Sequence, residues 1–471
     1  VTYPPNVRPA PPQRAPEQPS APTAASVPPQ RSGRAVVTER LRAAATTEPG
    51  RLQIIGAVLA LLVVAFGAVT AYQISDRATS ADDVVKRSQP LSADAANIYR
   101  SLADADAAAA SGFLAGPQEP RAVHDQYLAD IEEASRLLVK AAANTDSSTK
   151  SGHEITTLNQ ELPRYTGLIE RARANNRQGL PLGGAYLRYA NQKMAGELLP
   201  AAERLYAAET GRLGQDYDSA RTWPFFSLGI GVVALAVLFW AQRRNFHRTN
   251  RVLNHGLLAA TAASVVVLLW LAVGHSVARS DLADANTRGQ QSLDVLNRAR
   301  IDSLKARANE NLTVVARGAV LTADGKSDKY ETDYGTGMKA LVEELDTAAK
   351  LAKDTHDTAG SEPVARAVKG VTEWQSRHRT ARKTDDSGDY DTALTQIIGS
   401  GDSTKGSTGE SFNRVDKALR QALAHEQDEF TRAAESGRGA LGGLPIGAAA
   451  LAVLGAVAAI VGVNRRLSEF R

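Results

Sequence analysis

The chain has 471 residues, a formal net charge of +4 and no cysteine. Without cysteine there is no disulfide framework, no thiolate metal site and no cysteine nucleophile. Its length fits roughly two to four domains, but charge and apolar residues are spread so unevenly that each segment has to be read separately.

Residues 1–50 are rich in proline (Pro4, Pro5, Pro9, Pro11, Pro12) and poor in apolar side chains. Such a segment cannot bury a core, and a disordered cytoplasmic segment is expected. It serves as a tether or docks an inner partner in a polyproline mode. Thr46 and Thr47, just before Glu48-Pro49, are candidate phosphorylation positions. Residues 51–73 read as the first transmembrane helix, charge-free over 54–72, about the 20 residues a helix needs to cross a bilayer. About fifty residues precede it and no A-x-A-like site follows, so an uncleaved anchor is expected rather than a signal peptide.

Residues 74–222 read as helix interrupted three times, at Gly116-Pro117, at 144–152 and at 178–184. Met194, Leu198, Ala201, Leu205 and Ala208 share one helical face. Four helices with short connections imply an antiparallel bundle. Span one meets no breaker before Gly116, so its helix should run about 60 Å past the membrane. The loops at 116–120 and 178–184 then share the membrane-distal tip. A second span follows at 223–241, then a hairpin at 242–255 and a third span at 256–278. Residues 279–439 form a second helical segment, with breaks near 322–327, 356–363 and 384–409. Leu304, Ala308, Leu312, Val315 and Ala319 line one of its faces. The fourth span is 440–463, and 464–471 is a tail. The small residues Gly442, Gly443, Gly447, Ala448, Gly455 and Gly462 should allow close helix packing there.

Orientation follows from basic residues near the spans. The N-terminal piece through Arg51 nets +4, the hairpin +4 and the tail +2, whereas 74–222 and 279–438 are each −3. Both termini are therefore expected in the cytoplasm and both large segments outside. Span, helical segment, span occurs twice, with matches at an offset of 202: Leu91 with Leu293, Ser101-Leu102 with Ser303-Leu304, Gly116 with Gly318. The expected fold is all-α: four transmembrane helices carrying two tandem extracytoplasmic four-helix bundles, an internal duplication.

No enzyme constellation emerges, and no catalytic, cofactor or metal residue is assigned. The eight histidines are scattered, without H-E-x-x-H or a carboxylate at ligand spacing, and no phosphate-cradling glycine loop is present. Asp385, Asp386, Asp389 and Asp391 lack the glycine and bidentate glutamate of a calcium loop and read as a solvated acidic loop. His275, near the outer end of span three, reads as interfacial. The outer tip offers Leu180, Leu182, Tyr186, Arg188 and Tyr189, a mix of aliphatic, tyrosine and arginine side chains that suits a protein interface or else caps the bundle core. On the inner face, Arg243, Arg244, Arg248, Arg251, Arg465 and Arg466 form the candidate partner surface.

Paired helical domains on four spans resemble the sensing half of a bacterial chemoreceptor. Here, however, eight residues follow Val463, so a separate protein is expected to read any output. The stretches 179–189, 240–251 and 465–469 are similar to those of the GlnX-type membrane proteins of actinobacteria. That resemblance implies an outer glutamine-binding-type solute-binding lipoprotein and an inner Ser/Thr kinase of the protein kinase G type as partners. It also implies a relay role. A plasma-membrane location and no nucleic-acid partner are expected. The expected function is a non-enzymatic sensor-adaptor. The alternative is an envelope scaffold or secretion accessory protein without ligand sensing. A transporter ranks below both, because no span carries Asp, Glu, Lys or Arg within its apolar run.

Overall fold

The computed structural model describes residues 48–249, 254–400 and 403–467. The proline-rich segment, Thr46, Thr47, Arg251 and the end of the tail lie outside the described residues. The fold is all-α, with no strand among the described residues; Leu321 and Asp328 form an isolated bridge in a loop.

The first helix, α1 (Glu48–Asp83), passes through a π turn at Val84–Ser88 into α2 (Gln89–Leu114). Together they form one rod, counted at 65 residues from Gly50 to Leu114 and about 100 Å long. The π turn has a local cause. Pro90 has no N–H, and its ring would clash with the carbonyl four residues back; widening the helix just before it relieves both problems. The same solution recurs at the π turn Met194–Leu198, which precedes Pro200. Helices α3 (Arg121–Asn144), α4 (Lys150–Arg177), α5 (Leu182–Lys193) and α6 (Leu199–Arg221) follow. They pack with α2 around Leu102, Tyr127, Leu137, Tyr165 and Leu205.

After a short linker comes α7 (Phe225–Thr249), then α8 (His255–Asp284). A π turn at Ala285–Gln290 leads from α8 into α9 (Gln291–Ala316). Next are α10 (Lys329–Asp354), α11 (Thr358–Asp386), α12 (Tyr390–Ile398) and α13 (Thr408–Leu441). These pack with α9 around Leu296, Leu341, Val371, Trp374 and Leu419. The last helix is α14 (Leu444–Leu467).

The two halves correspond at particular positions. Gly116 and Gly318, 202 apart, both adopt positive φ (78° and 72°). Thr149 and Asp357, 208 apart, both cap the following helix: Thr149 accepts from the Gly152 amide and Asp357 from the Gly360 amide. The offset grows by six because the loop 317–328 is six residues longer than 115–120.

Four helices are long and apolar enough to cross a membrane. Their apolar parts lie in α1, α7, α8 and α14, which pack as a ring in which α14 touches α1 and α8 most closely. Small residues permit this. A Cβ at Gly67 would lie 2.0 Å from that of Ala452, and one at Gly256 would strike the backbone of Gly462 and Ala458. Gly447 accommodates the Trp270 ring.

Several expectations need correction. Pro363 does not end a helix; it lies inside α11, and the break is at 355–357, where His356 takes a φ of 57°. Ala319 lies beyond α9, because Arg317 turns left-handed and ends the helix. Gly442 and Gly443 break the helix at the head of the fourth apolar run instead of packing it. His275 is fully buried against the Trp223 ring, 5.0 Å between centroids, so it is not a bilayer-interface side chain.

Candidate functional site

The halves meet along α2 and α9. Ile301, Leu304 and Leu312 of α9 join the core of the first half, so the seam is apolar at its centre. Polar pairs flank it along its length. Tyr206 donates to Asp294 at 2.9 Å, Lys305 donates to the Tyr99 hydroxyl at 2.8 Å, and Asn311 donates to the Ser111 hydroxyl at 2.7 Å. Beside them Asp106, fully buried, accepts from Tyr165 at 3.0 Å and Asn191 at 2.7 Å; burial pushes its carboxyl up to about 6. Sliding α2 past α9 would strand the Lys305–Tyr99 and Asn311–Ser111 pairs and so carries a cost.

At the far end of the rod, α5 displays the tip residues. Gly179 supplies the positive φ of the turn, and the Leu180 amide closes on the Asn175 carbonyl. Leu187 and Ala190 anchor α5 to the core. Leu182 and Tyr189 are more than half exposed, at 53% and 57%, and Leu180 is also exposed. Tyr186 and Arg188 differ: both are half-buried, and Tyr186 packs against the core. The outward surface is thus Leu180, Leu182 and Tyr189, while Tyr186 partly caps the bundle. A Cβ at Gly184 would lie 3.9 Å from the Val315 side chain of the other half.

At the opposite end, Asn254 caps α8 and donates to the Gly462 carbonyl at 3.0 Å. That bond draws the hairpin and the end of α14 together. Arg243 is exposed, Arg244 lies 5.5 Å over the Trp240 ring, and Arg465 is exposed at the end of α14. Arg248 and Arg466 lie on the same helices, α7 and α14.

Between these two ends, two kinds of junction alternate. α1–α2 and α8–α9 run on through π turns, whereas α6–α7 and α13–α14 are broken, at 222–224 and 442–443. Arg77 and Arg279 reach across to hold the first break. Arg77 donates to the Thr222 carbonyl at 2.6 Å and the Trp223 carbonyl at 3.4 Å, and Arg279 donates to the Arg221 carbonyl at 3.1 Å.

Two buried or clustered sets were not singled out in the sequence. Glu310, fully buried in the second half, accepts from Trp374 (3.1 Å), Arg307 (2.5 Å) and the His378 Nδ1 side (2.9 Å). Burial alone would raise its pKa, but the His378 hydrogen bond and the Arg307 charge hold it below the usual glutamate range. Asp357, His425 and Glu429 bring one ligand-type atom each to within 4.8 Å of one another. This corrects the reading that no histidine has a carboxylate at ligand spacing: His425 and Glu429 are one helical turn apart. Asp357 already serves as a helix cap, and its other oxygen faces His425 Nε2 at 3.1 Å. Of the acidic loop, Asp385 and Asp386 pair with Arg382, and Asp389 caps α12.

Residues 80–218 match the family model of the actinobacterial sensor domain. The match begins on the outward extension of α1 and ends in α6, so it covers the first helical half. No curated protein matches the chain, and no solved structure does.

Proposed function

We propose that this chain is a non-enzymatic sensor-adaptor of the plasma membrane that relays the state of an extracytoplasmic protein to a cytoplasmic one. The observation that carries the proposal is that the segment matching the sensor domain is continuous with an apolar helix long enough to cross a membrane. A helix unbroken from α1 through α2 can carry shifts of about 1–2 Å at its outer end to its inner end. The correspondence of the two halves supports an internal duplication, in which 74–222 and 279–439 are two antiparallel four-helix bundles outside the membrane. Both termini and the hairpin are then cytoplasmic, consistent with the basic excess of those pieces.

In this reading Leu180, Leu182 and Tyr189, flanked by Tyr186 and Arg188, meet a solute-binding lipoprotein that carries an amino acid. Arg243, Arg244, Arg248, Arg251, Arg465 and Arg466 meet an inner kinase or adaptor. The similarity to GlnX-type proteins supports that pair of partners.

The test is photo-crosslinking in living cells, from Leu182→Cys at the tip and Arg243→Cys at the hairpin, each labelled through the only cysteine in the chain. Capture of a solute-binding protein at the tip and a kinase at the hairpin supports the relay. Capture of envelope proteins alone, unchanged by nutrient, would replace it with a scaffold.

A further inference from the structure

A polar cleft with a cavity volume of about 480 Å³ opens between the halves, over the α2–α9 seam. Both halves contribute to its walls: Arg100 and Asp104 from α2, Gln126 and Asp130 from α3, Arg300 from α9 and Arg420 from α13. The charges in it oppose one another but are not all in contact. Arg300 and Arg420 share Asp416, at 2.6 and 2.9 Å. Arg100, half-buried, donates to Asn97 on its own helix at 2.7 Å and has no carboxylate within 4 Å among the described residues. Facing it, Asp104 and Asp130 are joined only loosely: the Gln126 amide donates to Asp130 at 2.8 Å and lies 3.5 Å from Asp104. The nearest cation to Asp104 is Arg300, at 3.9 Å.

This is an anion-seeking group beside a cation-seeking pair. Burial, and then the charge of Arg300, brings the Arg100 guanidinium down to about 10. Burial, followed by the charge of Asp104, pushes the Asp130 carboxyl up to about 7; burial and then Asp416 push Asp104 up to about 6. Each of the three groups is therefore costly to keep ionised, and the opposing charges of Arg100 and the two aspartates offset that burial only in part. Arg100 and Asp104 are one helical turn apart, about 6 Å between their Cβ atoms. A carboxylate and an ammonium on one carbon can each reach one of them across that gap. The cavity is within the usual range for a small-molecule site, about 300–1,000 Å³.

We propose that this cleft binds a free α-amino acid, its carboxylate on Arg100 and its ammonium on Asp104 and Asp130. Such a ligand spans both halves and would make the seam itself responsive to a small molecule. The site requires neither the outer nor the inner partner, so its failure would leave the adaptor reading standing.

The experiment is calorimetric titration of the full chain in detergent micelles with L-alanine, L-glutamine and L-aspartate. Ethylamine and propionate serve as half-ligands. At least one amino acid should saturate the protein, with each half-ligand binding at least tenfold more weakly. Arg100→Gln and Asp130→Asn should each weaken that amino acid at least tenfold, with the thermal unfolding transition retained. The proposal is overturned if none of the three saturates by about 10 mM, tenfold weaker than a millimolar site. It is equally overturned if ethylamine alone binds as well, which would make the cleft a cation site, or if both variants bind like the parent. The half-ligand comparison needs no variant, so it decides the matter even if a variant fails to fold.

Discussion

Arg77 on α1 donates from Nε to the main-chain oxygen of Thr222 at 2.6 Å, fastening the outgoing helix to the linker that leads into α7. Its Nη2 reaches the next carbonyl, that of Trp223, and Arg279 of α8 holds the preceding one. The last carbonyls of a helix have no partner within it, and a cation there also suits the helix dipole. The 222–224 break is thus held by two neighbouring helices, and its position follows theirs.

Replacing Arg77 by Gln should therefore loosen this junction more than the cores. The loss of its main-chain bonds should cost about 1–3 kcal/mol. Hydrogen exchange should quicken across 221–228 and remain slow across 301–316. Equal acceleration in both segments would show that Arg77 supports the whole fold.

Glu310 and His378 give the second half a defined pH dependence. Burial pulls His378 down, but hydrogen bonds to Glu310 and Glu331 outweigh it and push it up to about 9, against a usual 6.5. The stabilisation it provides is complete below pH 6.5 and disappears as pH rises through about 9. Glu310 is lowered, so its share is present above its usual 4.5 and lost as pH falls through the lower value. Thermal unfolding followed by circular dichroism should decline from pH 6.5 to 9, and His378→Gln should flatten that slope. Glu310→Ala should cost about 3–5 kcal/mol by leaving Arg307 buried without its partner; a cost under 1 kcal/mol would mean the site relaxes to water.

Glu426 on α13 has the opposite character. It is buried near Asp357 and Glu429, and burial, then those charges, push it up to about 8. A carboxyl raised in the fold stabilises fully below its usual value and loses that contribution as pH rises through about 8. Glu426→Gln, neutral at every pH, should raise the melting temperature at pH 8 and leave it nearly unchanged at pH 4. A drop at pH 8 would indicate that the ionised carboxylate is a working partner.

The α1–α14 contact rests on size. With 2.0 Å between a Gly67 Cβ and that of Ala452, Gly67→Ala must push the two helices apart. Overpacking of this kind costs about 1–3 kcal/mol. Ala452→Gly in the same chain should recover most of the loss. An additive double variant would place the contact elsewhere.

Much of the fold was legible in the sequence because charge-free runs and left-handed glycines are local signals. The apolar runs fall on α1, α7, α8 and α14, and Gly116 and Gly318 lie just past the ends of corresponding helices. The less legible parts depend on what a residue meets. The π turns before Pro90 and Pro200 were not among the expected breaks. Pro363 is carried inside α11. The seam was invisible, because Leu304 and Leu312 read equally well as core of their own half. For the candidate surfaces, composition named the patch but could not distinguish outward Tyr189 from inward Tyr186, three residues earlier on the same short helix. Pairings such as Glu310 with His378, 68 residues apart, leave no mark on spacing at all.

The central claim is that a change at the tip is felt at the inner end. The most direct measurement is the yield of inner partner photo-captured from Arg243→Cys, compared at high and low amino-acid supply, with and without Leu182→Asp at the tip. The account predicts a yield that changes with supply, and a change that vanishes when the tip is altered. A yield indifferent to both supply and tip would contradict it.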